Sequence, residues 1–270
     1  MDVLEAIVLG VVQGITEFLP ISSTGHLILV PWFLGWEQQG LAFDVALHIG
    51  TLFAVLWYFR KDWIAFARGG IRLVQGRRND PDARMAGLIA AATIPGALAG
   101  LLAEDLVETY LRSPLVVAVT LIALALALIA AERHGRREKQ LDGVSWKDAL
   151  IVGLAQALAI VPGVSRSGVT ITAALFRGMQ REAGAHFSFF LSAPIIAGAG
   201  AKKTLDLFSE GLTGDAMAML GIGILTSAIV GYMAIAFLLR YLATHTTYAF
   251  IYYRIALGIV VLLAFSLGFR

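Results

Sequence analysis

Long apolar blocks recur along this chain, and short charged segments separate them. The blocks cover residues 41–59, 85–103, 114–131, 185–201, 216–239 and 248–269. Most reach the roughly 17–25 residues that a helix needs to cross the hydrocarbon core of a bilayer. The blocks do not alternate with the period of two that is typical of a membrane β-barrel. The pattern therefore predicts an all-α polytopic membrane protein.

Two further stretches, residues 3–33 and 149–177, are apolar but interrupted in the middle by Pro20 and by Pro162 with Gly163. A shift of 143 positions superimposes Gly10 on Gly153, Gln13 on Gln156, Ser22 on Ser165 and Gly25 on Gly168, and Thr24 then meets Ser167. Matches at punctuating and polar positions indicate an internal repeat. Chance similarity between apolar sequences is the alternative.

Charge gives the orientation. Segments 60–84 and 132–148 are basic and are expected in the cytoplasm, whereas 104–113 is acidic and is expected outside. Three spans separate the interrupted stretches, so the second copy should be inverted, with each stretch forming a re-entrant hairpin. The predicted organisation is repeat 1 over 1–131 (hairpin 3–33, spans 41–59, 85–103 and 114–131), a cytoplasmic basic loop over 132–148, and repeat 2 over 149–270 (hairpin 149–177, spans 185–201, 216–239 and 248–269).

Composition agrees with a membrane protein. Hydrophobic residues make up 58% of the chain and charged residues 15%, against about 45–50% and about 25% in soluble domains. The net charge of +2 implies no nucleic-acid partner, and the absence of cysteine excludes disulfide and thiolate chemistry. We see no basic n-region or cleavage site before the first apolar segment, so we expect that segment to be retained.

The interruptions carry the candidate chemistry. Proline ends a helix, and the hydroxyl residues that follow it are good N-caps for a new half-helix. These are Ser22, Ser23 and Thr24 in the first copy and Ser165 and Ser167 in the second. Helix N-termini bind anions, phosphate above all, and Arg166 adds a planar set of donors suited to phosphate.

The two copies differ in their ionisable residues. Glu17 and His26 occur only in the first copy, where the second has Ile160 and Val169. Ionisable residues inside a membrane suggest a functional site. The alternatives are that the hydroxyls bond their own backbone, that Glu17 and Arg166 form only a structural ion pair, and that His26 is structural. Asp44 and His48 either line the entrance or only cap and pack.

The stretches "GVVQGITEFLPISSTGH" and "LAIVPGVSRSGVTIT" resemble the two signature regions of the undecaprenyl-diphosphate phosphatase family of the bacitracin-resistance type. "FDVALHIGTLFAV" and the "YYR" of the last span extend the resemblance along the chain. The resemblance implies a multi-pass enzyme of the bacterial cytoplasmic membrane, with its site open to the extracytoplasmic side. Such an enzyme removes the terminal phosphate from a C55 isoprenyl diphosphate, and the monophosphate is recycled for peptidoglycan synthesis. A divalent cation, Mg²⁺ or Ca²⁺, is implied as cofactor.

The resemblance also assigns residues. It implies catalytic roles for Glu17, Ser23, His26 and Arg166, phosphate binding by Ser22, Thr24, Ser165, Arg166, Ser167, Thr170 and Arg254, and metal binding by Glu17 and Gln13. Gln13 brings a carbonyl but no charge, which weakens a scheme with two carboxylates on the metal. Either Ser23 is the nucleophile, with His26 as its base or as acid to the leaving group, or His26 or Glu17 activates water directly.

Other classes of function stay open at this stage. The same architecture could transport a phosphorylated polyprenyl lipid without hydrolysing it, and a passive lipid-binding scaffold would show no turnover. Glu17 and His26 occur at the turn, or tip, of the first hairpin only. This difference between the two tips favours chemistry, because a symmetric carrier needs neither residue. The expected partners are a polyprenyl diphosphate and the bilayer, and a homodimer is left open.

Overall fold

The computed structural model describes residues 1–77, 80–210 and 214–269, and these residues contain helices and no β-strand. The α-helices are α1 (Val3–Phe18), α2 (Ser23–Leu34), α3 (Leu41–Tyr58), α4 (Arg60–Val74), α5 (Pro81–Leu106), α6 (Pro114–His134), α7 (Trp146–Ala157), α8 (Arg166–Phe176), α9 (Arg181–Glu210), α10 (Gly214–Thr244) and α11 (Tyr248–Ser266). A π-helical turn (Val107–Leu111) follows α5, and 3₁₀ turns cover Leu141–Gly143 and Leu158–Ile160.

Five helical segments in the described residues are long and apolar enough to cross a membrane. They are Pro81–Ala103, Pro114–His134, Arg181–Ala201, Ala216–Thr244 and Tyr248–Ser266. A sixth is added if Phe43–Tyr58 and Arg60–Val74 count as one span, although the two are bent by 84°. The prediction of an all-α, multi-pass membrane protein is confirmed.

The basic segment after the first predicted span is not simply a connecting loop. Its first part forms α4, which turns sharply away from α3. Arg60, Lys61 and Arg68 are exposed on α4, while Trp63 and Phe66 pack against the core. This division into a basic and an apolar face is typical of a helix at a membrane surface. Residues 78 and 79 of the predicted basic segment lie outside the described residues.

Both interrupted stretches form two helices with a sharp turn between them, and the turns have the same local geometry. Ser22 and Ser165 are the N-caps of α2 and α8, with φ of 79° and 70°. Each serine hydroxyl accepts a hydrogen bond from the backbone N–H three residues later, Gly25 at 3.2 Å and Gly168 at 3.0 Å. A positive φ on a non-glycine residue is strained and persists only where surrounding contacts hold it.

The first helix of each interrupted stretch packs against a long helix from the other half of the chain. Gly10 of α1 lies against Thr226 of α10, and Gly153 of α7 lies against the backbone of Ala92 in α5. Any side chain at either glycine would collide with the facing helix. The aligned glycines therefore serve the same purpose, which is close approach between helices.

Two buried carboxylates fix the ends of the helices around the predicted basic loop 132–148. Glu132, near the end of α6, accepts hydrogen bonds from Arg181 of α9 at 2.7 Å and from the N–H and hydroxyl of Thr247 at 2.9 and 2.8 Å. Asp148, at the start of α7, accepts from Lys139 at 2.9 Å and from Arg177 at 2.7 Å.

Burial by itself would raise the pKa of Asp148. Hydrogen bonds from Ser145, Lys139 and Arg177 outweigh it and hold the pKa of this carboxyl well below its ordinary value. A depressed pKa means that the stabilisation is present above the unfolded-state value of 3.8 and is lost only as the pH falls below it. The loop is therefore anchored throughout the neutral pH range.

Replacing Glu132 with alanine should destabilise the helix bundle. The change leaves Arg181 without its ion pair and the buried N–H of Thr247 without an acceptor, and breaking a buried pair costs about 3–5 kcal/mol. Thermal unfolding of purified protein in detergent should show a clearly lower midpoint. Glu138→Ala, at an exposed position in the same segment, should change stability by less than about 0.5 kcal/mol. Equal midpoints for the two variants would contradict the role of Glu132.

Candidate functional site

A cavity of about 230 Å³ lies where the turns of the two hairpins meet. Its polar lining consists of Glu17, Ser22, Ser23, Thr24, His48, Gln156, Ser165 and Arg166. The rest of the lining is apolar and comes from α3, α5, α9 and the segment that follows α7. The structure thus brings residues from both sequence motifs to one site.

Glu17 is the hub of this site and is only 4% exposed. One carboxylate oxygen, Oε1, accepts a hydrogen bond from Arg166 Nη2 at 3.0 Å. The other, Oε2, accepts from Ser23 Oγ at 2.6 Å and from Gln13 Nε2 at 3.2 Å. Nε2 of His48 lies 3.3 Å from the same oxygen. The first hairpin is therefore joined to the second by a buried ion pair that also faces the cavity.

Hydrogen bonds to α9 and within α8 fix the position of Arg166. Its Nη1 donates to the carbonyl of Ser188 at 2.9 Å, and its backbone carbonyl accepts from the Thr170 hydroxyl at 2.7 Å. Within the described residues its buried Nε has no partner. Thr170 and Ser167 do not line the cavity, and the Ser167 hydroxyl donates to the carbonyl of Leu19 at 3.0 Å. These two predicted phosphate ligands lie behind the tips.

His26 lies on the other side of the first tip. Its Nδ1 is 2.7 Å from the carbonyl of Ser22, and its Nε2 is 2.6 Å from the hydroxyl of Tyr253. A carbonyl only accepts, so Nδ1 carries a hydrogen. Both ring nitrogens are thus engaged away from Ser23, which bonds to Glu17 instead. The arrangement with His26 as the base for Ser23 is not assembled in this structure.

Arg254 is completely buried and does not line the cavity. It donates to the carbonyls of Pro20 at 3.1 Å and Gly163 at 2.9 Å, which belong to the two tips. It also donates to the carbonyls of Leu121 at 3.1 Å and Thr120 at 3.3 Å in α6. This placement differs from the predicted role as a phosphate ligand, because backbone oxygens occupy the donors of the guanidinium.

Two lining residues were not assigned to the site from the sequence. His48, which the sequence left between the entrance and a packing role, reaches Glu17 while its Nδ1 lies 2.7 Å from the carbonyl of Asp44. Asp44 in turn pairs with Arg112 at 2.8 Å. Asp44 and His48 are two ionisable residues four positions apart within an apolar block. This pattern was the sequence signal that could have assigned His48 to the site.

Gln156 is the second unassigned residue and is 3% exposed. Its Nε2 donates to the carbonyl of Ala92 at 3.3 Å, and its Oε1 is buried without a hydrogen-bond partner in the described part of the chain. An unpaired buried acceptor is costly, so this oxygen is available to a species that enters the cavity. Its alignment with Gln13, whose Oε1 is likewise unpaired, was the signal in the sequence.

The donor atoms around Glu17 fit a divalent cation only in part. Among the described residues no group of three or more histidine, aspartate or glutamate side chains could hold a metal. The Glu17 carboxylate and the unpaired Oε1 of Gln13 are oxygen ligands of the kind that Mg²⁺ and Ca²⁺ prefer. Mg²⁺ typically binds one or two carboxylates together with substrate phosphates and water. The residues therefore fit a cation that is held jointly with a phosphorylated ligand.

Fold and site together define an integral membrane protein with a buried Glu17–Arg166 ion pair, which lines a cavity where the turns of two helical hairpins meet. Residues 6–260 match the family model described as Bacitracin resistance protein BacA. The chain belongs to this family.

Curated relatives cover almost the whole chain. An undecaprenyl-diphosphatase of Moorella thermoacetica is 49% identical over 267 residues, 99% of each chain. Those of Rubrobacter xylanophilus and Desulforudis audaxviator are 48% and 47% identical, each over 97% of both chains.

Arg254 can be tested as a structural residue. Arg254→Leu removes the donors of several buried carbonyls, so we expect both the thermal midpoint in detergent and the yield of folded protein to fall strongly. Arg133→Leu, at an exposed position near the end of α6, should leave the midpoint nearly unchanged. A phosphate ligand would instead affect ligand binding and leave stability unchanged. Unaltered stability of Arg254→Leu would contradict its role at the tips.

Proposed function

We propose that this protein hydrolyses undecaprenyl diphosphate, or a related polyprenyl diphosphate, to the monophosphate and inorganic phosphate. The observation that carries the proposal is the Glu17–Arg166 ion pair, with Ser23 on the same carboxylate, at the polar end of a cavity inside a membrane protein. The names of the curated relatives support the same reaction. The product would be the lipid carrier recycled for peptidoglycan synthesis, and recycling it would confer bacitracin resistance.

The diphosphate would bind between the N-termini of α2 and α8. Free backbone N–H groups and the positive ends of both helices favour an anion there, and Arg166 contributes its guanidinium. Ser22, Ser23, Thr24 and Ser165 add hydroxyls at the same tips. Positioning and charge stabilisation are most of what phosphoryl transfer requires.

The next step is nucleophilic attack on the terminal phosphate. The hydroxyl of Ser23 is 2.6 Å from Glu17 Oε2, so Glu17 can accept its proton while the serine oxygen attacks the terminal phosphorus. The bond to the bridging oxygen breaks, the polyprenyl monophosphate leaves, and water then hydrolyses the phosphoserine to release phosphate. The alternative is that Glu17 activates water directly, with Ser23 as a ligand of the phosphate. His26 would have a positioning role, because its Nδ1 donates to the carbonyl of Ser22 and so fixes the conformation of the first tip.

A divalent cation, Mg²⁺ or Ca²⁺, would be held by Glu17 and Gln13. It would supply positive charge that offsets the repulsion between the Glu17 carboxylate and the incoming diphosphate. Gln156 Oε1 would accept a hydrogen bond from water or from a protonated phosphate oxygen.

We further propose that the two halves are inverted repeats with re-entrant hairpins, and that the site opens to the extracytoplasmic side of the bacterial cytoplasmic membrane. The matching geometry at Ser22 and Ser165 and the exchanged packing of α1 on α10 and α7 on α5 support the repeat. Basic segments at one end of the bundle support the orientation. Lipid transport is the rival function, and the hydrogen bond between Ser23 and Glu17 on one tip alone favours hydrolysis.

The reaction can be measured as phosphate released from undecaprenyl diphosphate by purified protein in detergent. Glu17→Gln and Arg166→Ala should each lower kcat by at least about 100-fold, the usual effect of removing one stabilising group. Ser23→Ala should do the same if phosphoserine forms, and should keep part of the activity if water attacks directly. Wild-type rates from Glu17→Gln and Arg166→Ala, or no phosphate release by the wild type, would overturn the proposal.

Removal of divalent cations tests the proposed cofactor. A chelator should abolish phosphate release, and added Mg²⁺ or Ca²⁺ should restore it. Gln13→Ala should need a several-fold higher cation concentration for half-maximal activity while keeping most of its maximal rate, because Glu17 remains. Full activity of the wild type in excess chelator would exclude a dissociable cation from the reaction.

A further inference from the structure

The apolar part of the cavity has a defined position in the bundle. It is lined by Gly96 and Gly100 of α5, by Ile195 and Ala199 of α9, and by Ala157 and Ile160 beside the second tip. Gly96 and Gly100 are four residues apart and so share one face of α5, and the same holds for Ile195 and Ala199 on α9. A narrow apolar slot therefore runs between these two helices and ends at the polar tips.

The slot reaches the surface at one end. Gly100 and Ala199 are exposed, whereas Gly96 and Ile195 are partly buried. In the sequence both residues lie near the end of an apolar block, 85–103 for Gly100 and 185–201 for Ala199. Next to Gly100, Leu101 and Leu102 are 66% and 85% exposed, as expected for a surface that faces lipid. The mouth thus lies near one edge of the apolar part of the bundle and opens sideways.

The size of the cavity limits what it can hold. One water molecule takes about 30 Å³ of liquid, so about 230 Å³ corresponds to roughly eight water molecules, which is far less than a long isoprenyl chain needs. A long isoprenyl chain must leave the cavity close to its phosphate end. The slot between α5 and α9 is an apolar route to the surface from the polar tips.

Gly100 is not required for helix packing. A Cβ at this position would meet no atom within 4 Å, whereas a Cβ at Gly96 would lie 3.0 Å from Gln156. A larger side chain at Gly100 would therefore fill the mouth of the slot without displacing a neighbouring helix.

We infer that Gly100 and Ala199 form a lateral portal through which the isoprenyl chain of the substrate passes into the lipid, with its first units lying against Gly96, Ile195 and Ile160. This inference rests on the proposed function and assigns Gly100 as a specificity-determining residue. A bulky side chain at the portal should exclude long-chain lipids while leaving the phosphate-binding tips intact.

Gly100→Phe is the test, and Gly198→Phe is its matched control. Gly198 is an exposed glycine of α9 that also has no atom within 4 Å of its Cβ position and does not line the cavity. For undecaprenyl diphosphate, Gly100→Phe should raise KM at least about 10-fold, and Gly198→Phe should leave it unchanged. For a five-carbon isoprenyl diphosphate, whose chain ends near the portal, Gly100→Phe should change kcat/KM by less than about 2-fold.

A binding measurement separates the portal from the chemistry. Undecaprenyl monophosphate should raise the thermal midpoint of the wild type and of Gly198→Phe but not of Gly100→Phe, whereas inorganic pyrophosphate should act on all three alike. If the wild type shows this stabilisation but releases no phosphate, the portal stands and the proposed hydrolysis fails. Equal binding of the long lipid by Gly100→Phe and wild type, or an equal loss with both substrates, would overturn the portal.

Discussion

A carboxylate or a guanidinium buried inside a membrane protein is stable only when it is paired with an opposite charge or satisfied by hydrogen bonds. Glu17 and Arg166 come from opposite halves of the chain and meet at 3.0 Å, with Glu17 4% exposed. Either charge alone would carry a large desolvation penalty, since the surrounding helices and lipid offer little to replace water. The pair therefore requires the two hairpin tips to be in contact, and the cavity exists because they are.

The broken helices impose a second requirement, which is that their free backbone groups be satisfied without water. Side-chain donors satisfy the carbonyl groups of the tips. Arg254 and the hydroxyls of Thr120 and Ser167 bind carbonyls of the two tips. Several carbonyl oxygens of the tips are thereby satisfied by protein donors in place of water. Ser23 and Thr24 at the start of α2 and Arg166 at the start of α8 line the cavity.

The two tips share a backbone geometry but differ in chemistry. Ser22 and Ser165 occupy the same strained conformation, and Gly25 and Gly168 donate to them in the same way. Gly163 in the second tip has φ of 89°, and a side chain there would collide with Thr120. Beyond this common frame, one tip contributes the carboxylate and the other the guanidinium. The shared backbone conformation thus holds two chemically different groups opposite each other.

Sequence alone determined the helical membrane class, the two breaks and most of the residues at the cavity, because apolar length, proline and N-cap chemistry are local properties. It could not determine the environment of a polar side chain. His26 and Arg254 look like ligands in a motif, yet the fold turns one towards Tyr253 and the other onto carbonyls. His48 is separated from Glu17 by 31 positions and meets it only because α3 packs beside α1. Which donor faces a ligand and which faces the backbone depends on contacts between distant helices, and tertiary structure alone decides it.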